Sequence, residues 1–196
     1  YSIDMTDHGS AAASSLMTAL RTTYDASIAI GYSPLVSTSI YCGDYSKQQL
    51  LWVMAGNYAV SQGEYTGAEL RQMMEWLVNV KDNGANPIRH RNYMPVTSGM
   101  EYKVTEYEQG KFRLEELTVN GAPLDDTATY TVFVAGTDVW IENEVYCSCP
   151  MPENLKTKRT EYAIEGADSR SCLKDSLAVS KQFPAPSEYL TIVQGE

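Results

Sequence analysis

No stretch of this sequence approaches the ~20 consecutive apolar residues needed to cross a bilayer as a helix, so nothing in it reads as a membrane span. Positive charge is also scarce. Lysine and arginine together number 15 against 25 aspartates and glutamates, a net charge of −10. Nucleic acid is held by basic patches that release counterions, and this balance excludes it as a natural partner. The short basic runs Lys156-Thr157-Lys158-Arg159 and Arg89-His90-Arg91 read as solvated loops. Histidine is limited to His8 and His90, far apart in sequence. A two-metal hydrolytic centre needs clustered Asp, His and Asn, and the chain has no Asp-x-His or Gly-Asn-His string. Asp7-His8 reads as part of a solvated tail. A Gly-x-Ser-x-Gly elbow, a glycine-rich phosphate loop and a dinucleotide fingerprint are all missing as well. The sequence therefore offers no catalytic centre of its own.

What is present is enough for a core. Hydrophobic residues make up 43% and charged residues 20%, the balance of a folded chain. A length of 196 residues suits one domain, residues 1–196. The chain starts at Tyr1 and is expected to be a mature or excised piece of a larger protein. Four cysteines, Cys42, Cys147, Cys149 and Cys172, suggest disulfides and an oxidising compartment: extracellular, periplasmic or cell-surface. Cys147 and Cys149 stand too close to bridge each other easily, so each is expected to pair with Cys42 or Cys172, in either order. Zinc is the weaker alternative, because no second closely spaced pair exists, and free buried thiols are the other alternative to bridges.

Periodicity outlines the elements. Ser10 can cap a helix to about Tyr24, with Ala13, Leu16, Met17 and Leu20 at helical spacing. Ser27-Ile28-Ala29-Ile30 reads as a buried strand ended by Gly31. Ser46 opens a second helix closed by Gly56, and Asn57 to Val60 looks extended. Thr66 and Glu69 form a capping box before Leu70, Met73, Met74 and Leu77, which share a face with Trp76 near its edge. From Met100 the period turns to two, and Phe112, Leu114, Leu117 and Val119 answer on a second strand of a hairpin. Asn120-Gly121 marks a turn, and Thr129 to Ala135 a more apolar strand. Cys147 to Gly166 reads as a long loop, Ser171 to Lys181 as a helix and Tyr189 to Val193 as a final strand. The sum is an α+β domain with helices packed on a mixed sheet.

Several strings in this order resemble the C-terminal domain of the 5'-nucleotidase and UDP-sugar hydrolase family, from about Ser10 to Val193. They are Gly56-Asn57, Tyr65-Thr66-Gly67-Ala68-Glu69-Leu70 followed by Glu75, Val96-Thr97-Ser98-Gly99-Met100, and Val119-Asn120-Gly121-Ala122-Pro123-Leu124-Asp125 followed by Tyr130-Thr131-Val132. The resemblance implies a secreted or surface protein of bacterial type. It also implies a domain that recognises a nucleotide or nucleoside-like molecule for an N-terminal metallophosphoesterase domain in the intact protein. Any divalent metal pair would belong to that other domain, and no cofactor is expected in this chain.

The ligand-holding positions depart from the family pattern. The resemblance places its arginine at the end of Tyr32-Ser33-Pro34-Leu35-Val36, where Val36 cannot make bidentate, charge-assisted bonds. Its two stacking rings fall near Val96-Thr97 and Gly136-Thr137-Asp138, and threonine has no stacking face. Its glycine-rich loop corresponds to Ile141-Glu142-Asn143-Glu144, whose side chains fill space and add negative charge. Trp140 stands close enough in sequence to replace a ring. The substrate-binding candidates are thus Tyr32, Ser33, Thr97, Thr137, Asp138 and Trp140, in a pocket that has diverged. The alternative is a non-catalytic binding or cell-surface interaction module on the same fold.

Overall fold

A computed structural model describes residues 1–32, 36–78, 94–136 and 151–195. The elements in chain order are α1 (Ala11–Thr23), β1 (Ile28–Tyr32), α2 (Lys47–Val53), β2 (Ala59–Thr66) and α3 (Gly67–Val78), then β3 (Pro95–Ser98), β4 (Met100–Glu108), β5 (Lys111–Val119), β6 (Ala122–Pro123) and β7 (Thr129–Ala135). Last come α4 (Glu153–Glu161), β8 (Ala163–Asp168), α5 (Ser169–Ser180) and β9 (Leu190–Gln194).

The strands form two sheets rather than the one the sequence suggested. Five strands run in the order β3-β1-β7-β2-β8, and four in the order β6-β5-β4-β9. Each sheet contains one parallel pair, β1 with β7 and β4 with β9. The apolar segment Thr129–Ala135 does not extend the hairpin. It becomes the central strand of the other sheet, and Val132, Phe133, Val134 and Ala135 are wholly buried there. A central strand covered on both faces must be apolar at consecutive positions, which is why it reads as a run instead of an alternation.

Helix α3 explains its own wide apolar surface. It touches β2 and β3 of one sheet and β5 of the other. Leu70, Met73, Met74, Trp76, Leu77 and Val78 are accordingly all buried, more than a single-sided stripe would need. Helix α1 lies on β1 and β3 and against α5, where the Ser176 hydroxyl donates to the Ala19 carbonyl at 3.1 Å. Two further buried serines of α1, Ser14 and Ser15, each donate at 2.7 Å to carbonyls of Ser187 and Pro184, fixing the segment that leads into β9.

The hairpin β4–β5 carries a bulge. Lys103 pairs with Glu116 but Val104 pairs with Leu114, leaving Glu115 extra. The inward residues therefore step from Phe112 and Leu114 to Leu117 and Val119.

The segment read as a loop up to Gly166 is corrected by the structure, because 153–161 is helix and 163–168 is strand. Helix α4 hides only Leu155 and Arg159, so no apolar stripe announces it. Strand β8 is an edge strand paired with β2 only at Ala59–Asp168 and Ser61–Ala163. Beyond Ser61 the edge of β2 is satisfied by α4 and its C-cap residue. The Gln62 N–H donates to the Tyr162 carbonyl at 3.0 Å, while the Tyr162 hydroxyl and Lys158 Nζ donate to the Glu64 carbonyl at 3.1 and 3.3 Å. The other sequence-derived helices are present with small shifts. Helix α2 ends at Val53 rather than near Gly56, and α5 starts at Ser169, capped by Asp168.

The capping box at the start of α3 is present and is reinforced. Glu69 Oε2 accepts from the Thr66 N–H at 2.8 Å and from the Thr66 hydroxyl at 3.1 Å, and Glu69 N–H donates to Thr66 Oγ1 at 3.2 Å. Lys158 Nζ adds a contact of 2.5 Å to the same oxygen and lies over the Tyr65 ring. Partial burial works against charge on Glu69, but the bonds from Lys158 and Thr66 outweigh it and hold the carboxyl below its usual range.

Cys42 is exposed and Cys172 buried, and both are free thiols, so the bridges expected for them are not seen. The Cys172 thiol faces the Tyr24 hydroxyl in the interior, and burial raises its pKa. Cys147 and Cys149 lie outside the described residues.

Two expectations follow. Gly99, between β3 and β4, has φ +78°, and a Cβ there would meet the Ser27 carbonyl oxygen at 2.2 Å. Gly99→Ala should therefore cost more than the ~1–2 kcal/mol of a left-handed conformation alone, measured as a lower urea midpoint. An unchanged midpoint would refute the close approach. Glu69→Ala should cost about 1–2 kcal/mol for the lost cap. Because its folded pKa is depressed, Glu69 contributes fully above its ordinary value of 4.5 and progressively less as pH falls through the lowered one. The variant should accordingly lose part of the wild type's acid-side fall in stability, as followed by urea unfolding at several pH values.

Candidate functional site

The parallel pair β1–β7 gives the larger sheet a defined carboxyl edge, the place where open α/β sheets present ligand crevices. Ile30 is in register with Val134, so β1 ends at Tyr32 beside the end of β7 at Ala135 and Gly136. The antiparallel neighbour β3 starts at this edge, with Pro95 opposite Tyr32. So does β2, because the Gly136 N–H donates to the Ala59 carbonyl at 3.0 Å. Ala59 in turn faces Asp168, which caps α5. One edge thus collects the ends of β1 and β7 and the starts of β3, β2 and α5. Residues 33–35 follow Tyr32, 137–150 follow Gly136 and 79–93 precede Met94, and these three segments lie outside the described residues.

The frame of the edge is rigid for reasons visible in its bonds. The Tyr102 hydroxyl of β4, fully buried, donates to the Pro95 carbonyl at 2.6 Å. Burial and the neighbouring Tyr189 raise its pKa well above the ordinary tyrosine value, so it stays a neutral donor. Ser98 is held by the Arg21 Nε–H at 3.0 Å and lies 2.9 Å from the Thr18 hydroxyl. The Tyr102 bond fixes where β3 begins, and the Ser98 contacts fix where it ends.

The sequence-derived candidates divide sharply. Tyr32 stands at the edge, its backbone paired with Pro95. Thr97 is wholly buried inside β3, and its hydroxyl donates to the Met100 carbonyl across Gly99. Ser33, Thr137, Asp138 and Trp140 lie outside the described residues. Val36, where the family resemblance puts an arginine, is 4% exposed and bridges to Met54. Its side chain is core.

A residue that sequence reading missed is Arg170. It sits in the first turn of α5, and Nη2 donates to the carbonyl of Met54, the C-cap of α2, at 3.0 Å. Its Nε–H is buried with no hydrogen-bond partner, and no carboxylate pairs with it among the described residues. Its only sequence signal was its place directly after the cap Asp168-Ser169. Among the described residues, no three His, Cys, Asp or Glu side chains come together to hold a metal.

A concavity of about 780 Å³ lies between the 40–45 segment, α2 and the end of α5. Tyr45 and Phe183 meet edge-to-face in it at 6.0 Å, and Cys42 lies on its lining. Tyr41 and Trp52 are 71% and 61% exposed in the same segments.

Comparison with known proteins gives the family and the fold. The profile of the 5'-nucleotidase C-terminal domain matches residues 4–137, more than half of the chain. No curated protein sequence matches. Among solved structures, the 5'-nucleotidase precursor of Thermus thermophilus is 18% identical with a TM-score of 0.66, over 95% of this chain and 36% of that one. The NAD nucleotidase of Haemophilus influenzae is 13% identical with a TM-score of 0.69, over 96% of this chain and 34% of that one. A putative 5'-nucleotidase from Staphylococcus aureus gives 16% and 0.63, over 92% and 36%. The chain spans about a third of each of these proteins, and at such identities the likeness is one of fold. The two sheets, the capped helix between them and the profile match together establish that the chain belongs to the 5'-nucleotidase C-terminal domain family.

Proposed function

We propose that this domain orients a substrate for a hydrolase of the 5'-nucleotidase type, acting on nucleotides or related esters, through a crevice at the carboxyl edge of β1 and β7. The observation carrying the reading is the convergence of five element ends on that edge in a chain of this family. The chemistry of bond cleavage would come from an N-terminal metallophosphoesterase domain holding a divalent metal pair, in a protein that acts outside the cytoplasm or at the cell surface. The described residues of this chain supply no metal donor set, and no step is assigned to them.

The crevice itself reads as diverged from ordinary nucleoside recognition. Val36 and Thr97, at positions where the family resemblance puts a guanidinium and a ring, are buried in the core and turned to structural use. A second reading, a surface interaction module, is favoured by the aromatic concavity and the exposed Tyr41 and Trp52.

A stacking face contributes ~1–3 kcal/mol per base, and a charge-assisted bond from arginine ~1.5–3 kcal/mol. Their joint loss removes several kcal/mol, at tenfold in affinity for each ~1.4 kcal/mol. Calorimetry with adenosine or AMP at ~1 mM should accordingly show no binding to this chain. The chain alone should also release no phosphate from AMP with added Mn²⁺. Micromolar adenosine binding that disappears in Trp140→Ala would overturn the diverged pocket, and metal-dependent turnover surviving repurification would overturn the non-catalytic assignment.

A further inference from the structure

The turn joining β5 to β6 is a two-residue Asn120-Gly121 loop, flanked by the pair Val119–Ala122. Asn120 has φ +51° and Gly121 φ +77°, the double left-handed geometry of a tight hairpin turn. Both residues are exposed. Among the described residues, neither the Asn120 carboxamide nor the Gly121 N–H has a hydrogen-bond partner. A Cβ placed on Gly121 would meet no atom within 4 Å, so the space around the loop is open. Strand β6 is two residues long and both are exposed, so opening the turn breaks only a short ladder.

These features set a nucleophile beside an electrophile with nothing to hold them apart. Glycine, with no side chain, leaves its own amide nitrogen unhindered, and its backbone turns freely. We propose that Asn120-Gly121 is a self-modification site, which cyclises to a succinimide and opens to aspartate or isoaspartate while the rest of the chain stays folded. The Gly121 nitrogen, after losing its proton to solvent, bonds to Asn120 Cγ. The Cγ–Nδ2 bond breaks and the amide group leaves as ammonia, taking up a proton. Water then adds to either imide carbonyl, the bond from that carbon to the ring nitrogen breaks, and the nitrogen takes back a proton, leaving aspartate or isoaspartate. Nothing is oxidised or reduced. Each event exchanges a neutral carboxamide for a carboxylate, taking the net charge from −10 to −11. The isoaspartyl product also inserts a methylene into the main chain of a two-residue loop, so Val119 and Ala122 can no longer keep their register.

The test is incubation of the folded chain at mildly alkaline pH, with digestion after glutamate and mass spectrometry of the peptide starting at Leu117. That peptide should gain the mass difference between an amide and an acid, split into two chromatographic forms, and accept methyl groups from an isoaspartyl methyltransferase. The signal should be lost in Asn120→Gln. A urea-unfolded sample supplies the reference rate. Conversion in urea without conversion in the folded chain would show that the turn protects itself, and would overturn the proposal. No conversion in either state, or equal conversion in Asn120→Gln, would do the same.

Discussion

One carboxylate oxygen, Glu69 Oε2, joins three elements of this domain. It closes the first turn of α3, receives the backbone and hydroxyl of Thr66 at the end of β2, and draws in Lys158 from α4. Helix α3 lies between the two sheets, so its starting point sets where each sheet can pack. Helix α4, brought in by Lys158, covers the part of β2 that β8 leaves unpaired. An exposed strand edge invites pairing with another chain, and here a lysine and a tyrosine occupy the exposed Glu64 carbonyl instead. A single ionised group therefore serves helix capping, interlayer packing and edge protection at once.

The second constraint is the passage from one sheet to the other at Gly99. Strand β3 belongs to the five-stranded sheet and β4 to the four-stranded one, with one residue between them. Hydroxyl groups make that passage rigid: Thr97 to the Met100 carbonyl, Tyr102 to the Pro95 carbonyl, and Ser98 to the side chains of Arg21 and Thr18. In the interior such bonds are stronger than in water, and each unmet donor would be costly. Strand β3 is consequently anchored in the core at both ends, at Pro95 and at Ser98.

That rigidity changes how the site residues are to be understood. Thr97 reads from sequence as a weak substitute for a stacking ring, yet its hydroxyl serves the turn at Gly99. Val36 reads as a lost guanidinium, and the structure gives the positive reason, since the position is a core contact with Met54. Arg170 arrives at the same edge from a helix more than a hundred residues away, which no local pattern could reveal. The edge is thus one of fixed backbone, reached by a side chain from a segment distant in sequence.

The sequence by itself determined the local elements and the family. Capping at Thr66 and Glu69, the apolar run of β7 and the turn at Asn120-Gly121 are all short-range, because each rests on neighbours within a few residues. Tertiary structure alone decided that there are two sheets, that α4 and β8 exist, and that Arg170 reaches the Met54 carbonyl. Helix α4 buries two side chains and β8 pairs at two positions, so neither imposes a hydrophobic period on its sequence. Their stability comes from contacts with β2, about a hundred residues earlier in the chain, and contacts at that distance leave no periodic trace in the sequence.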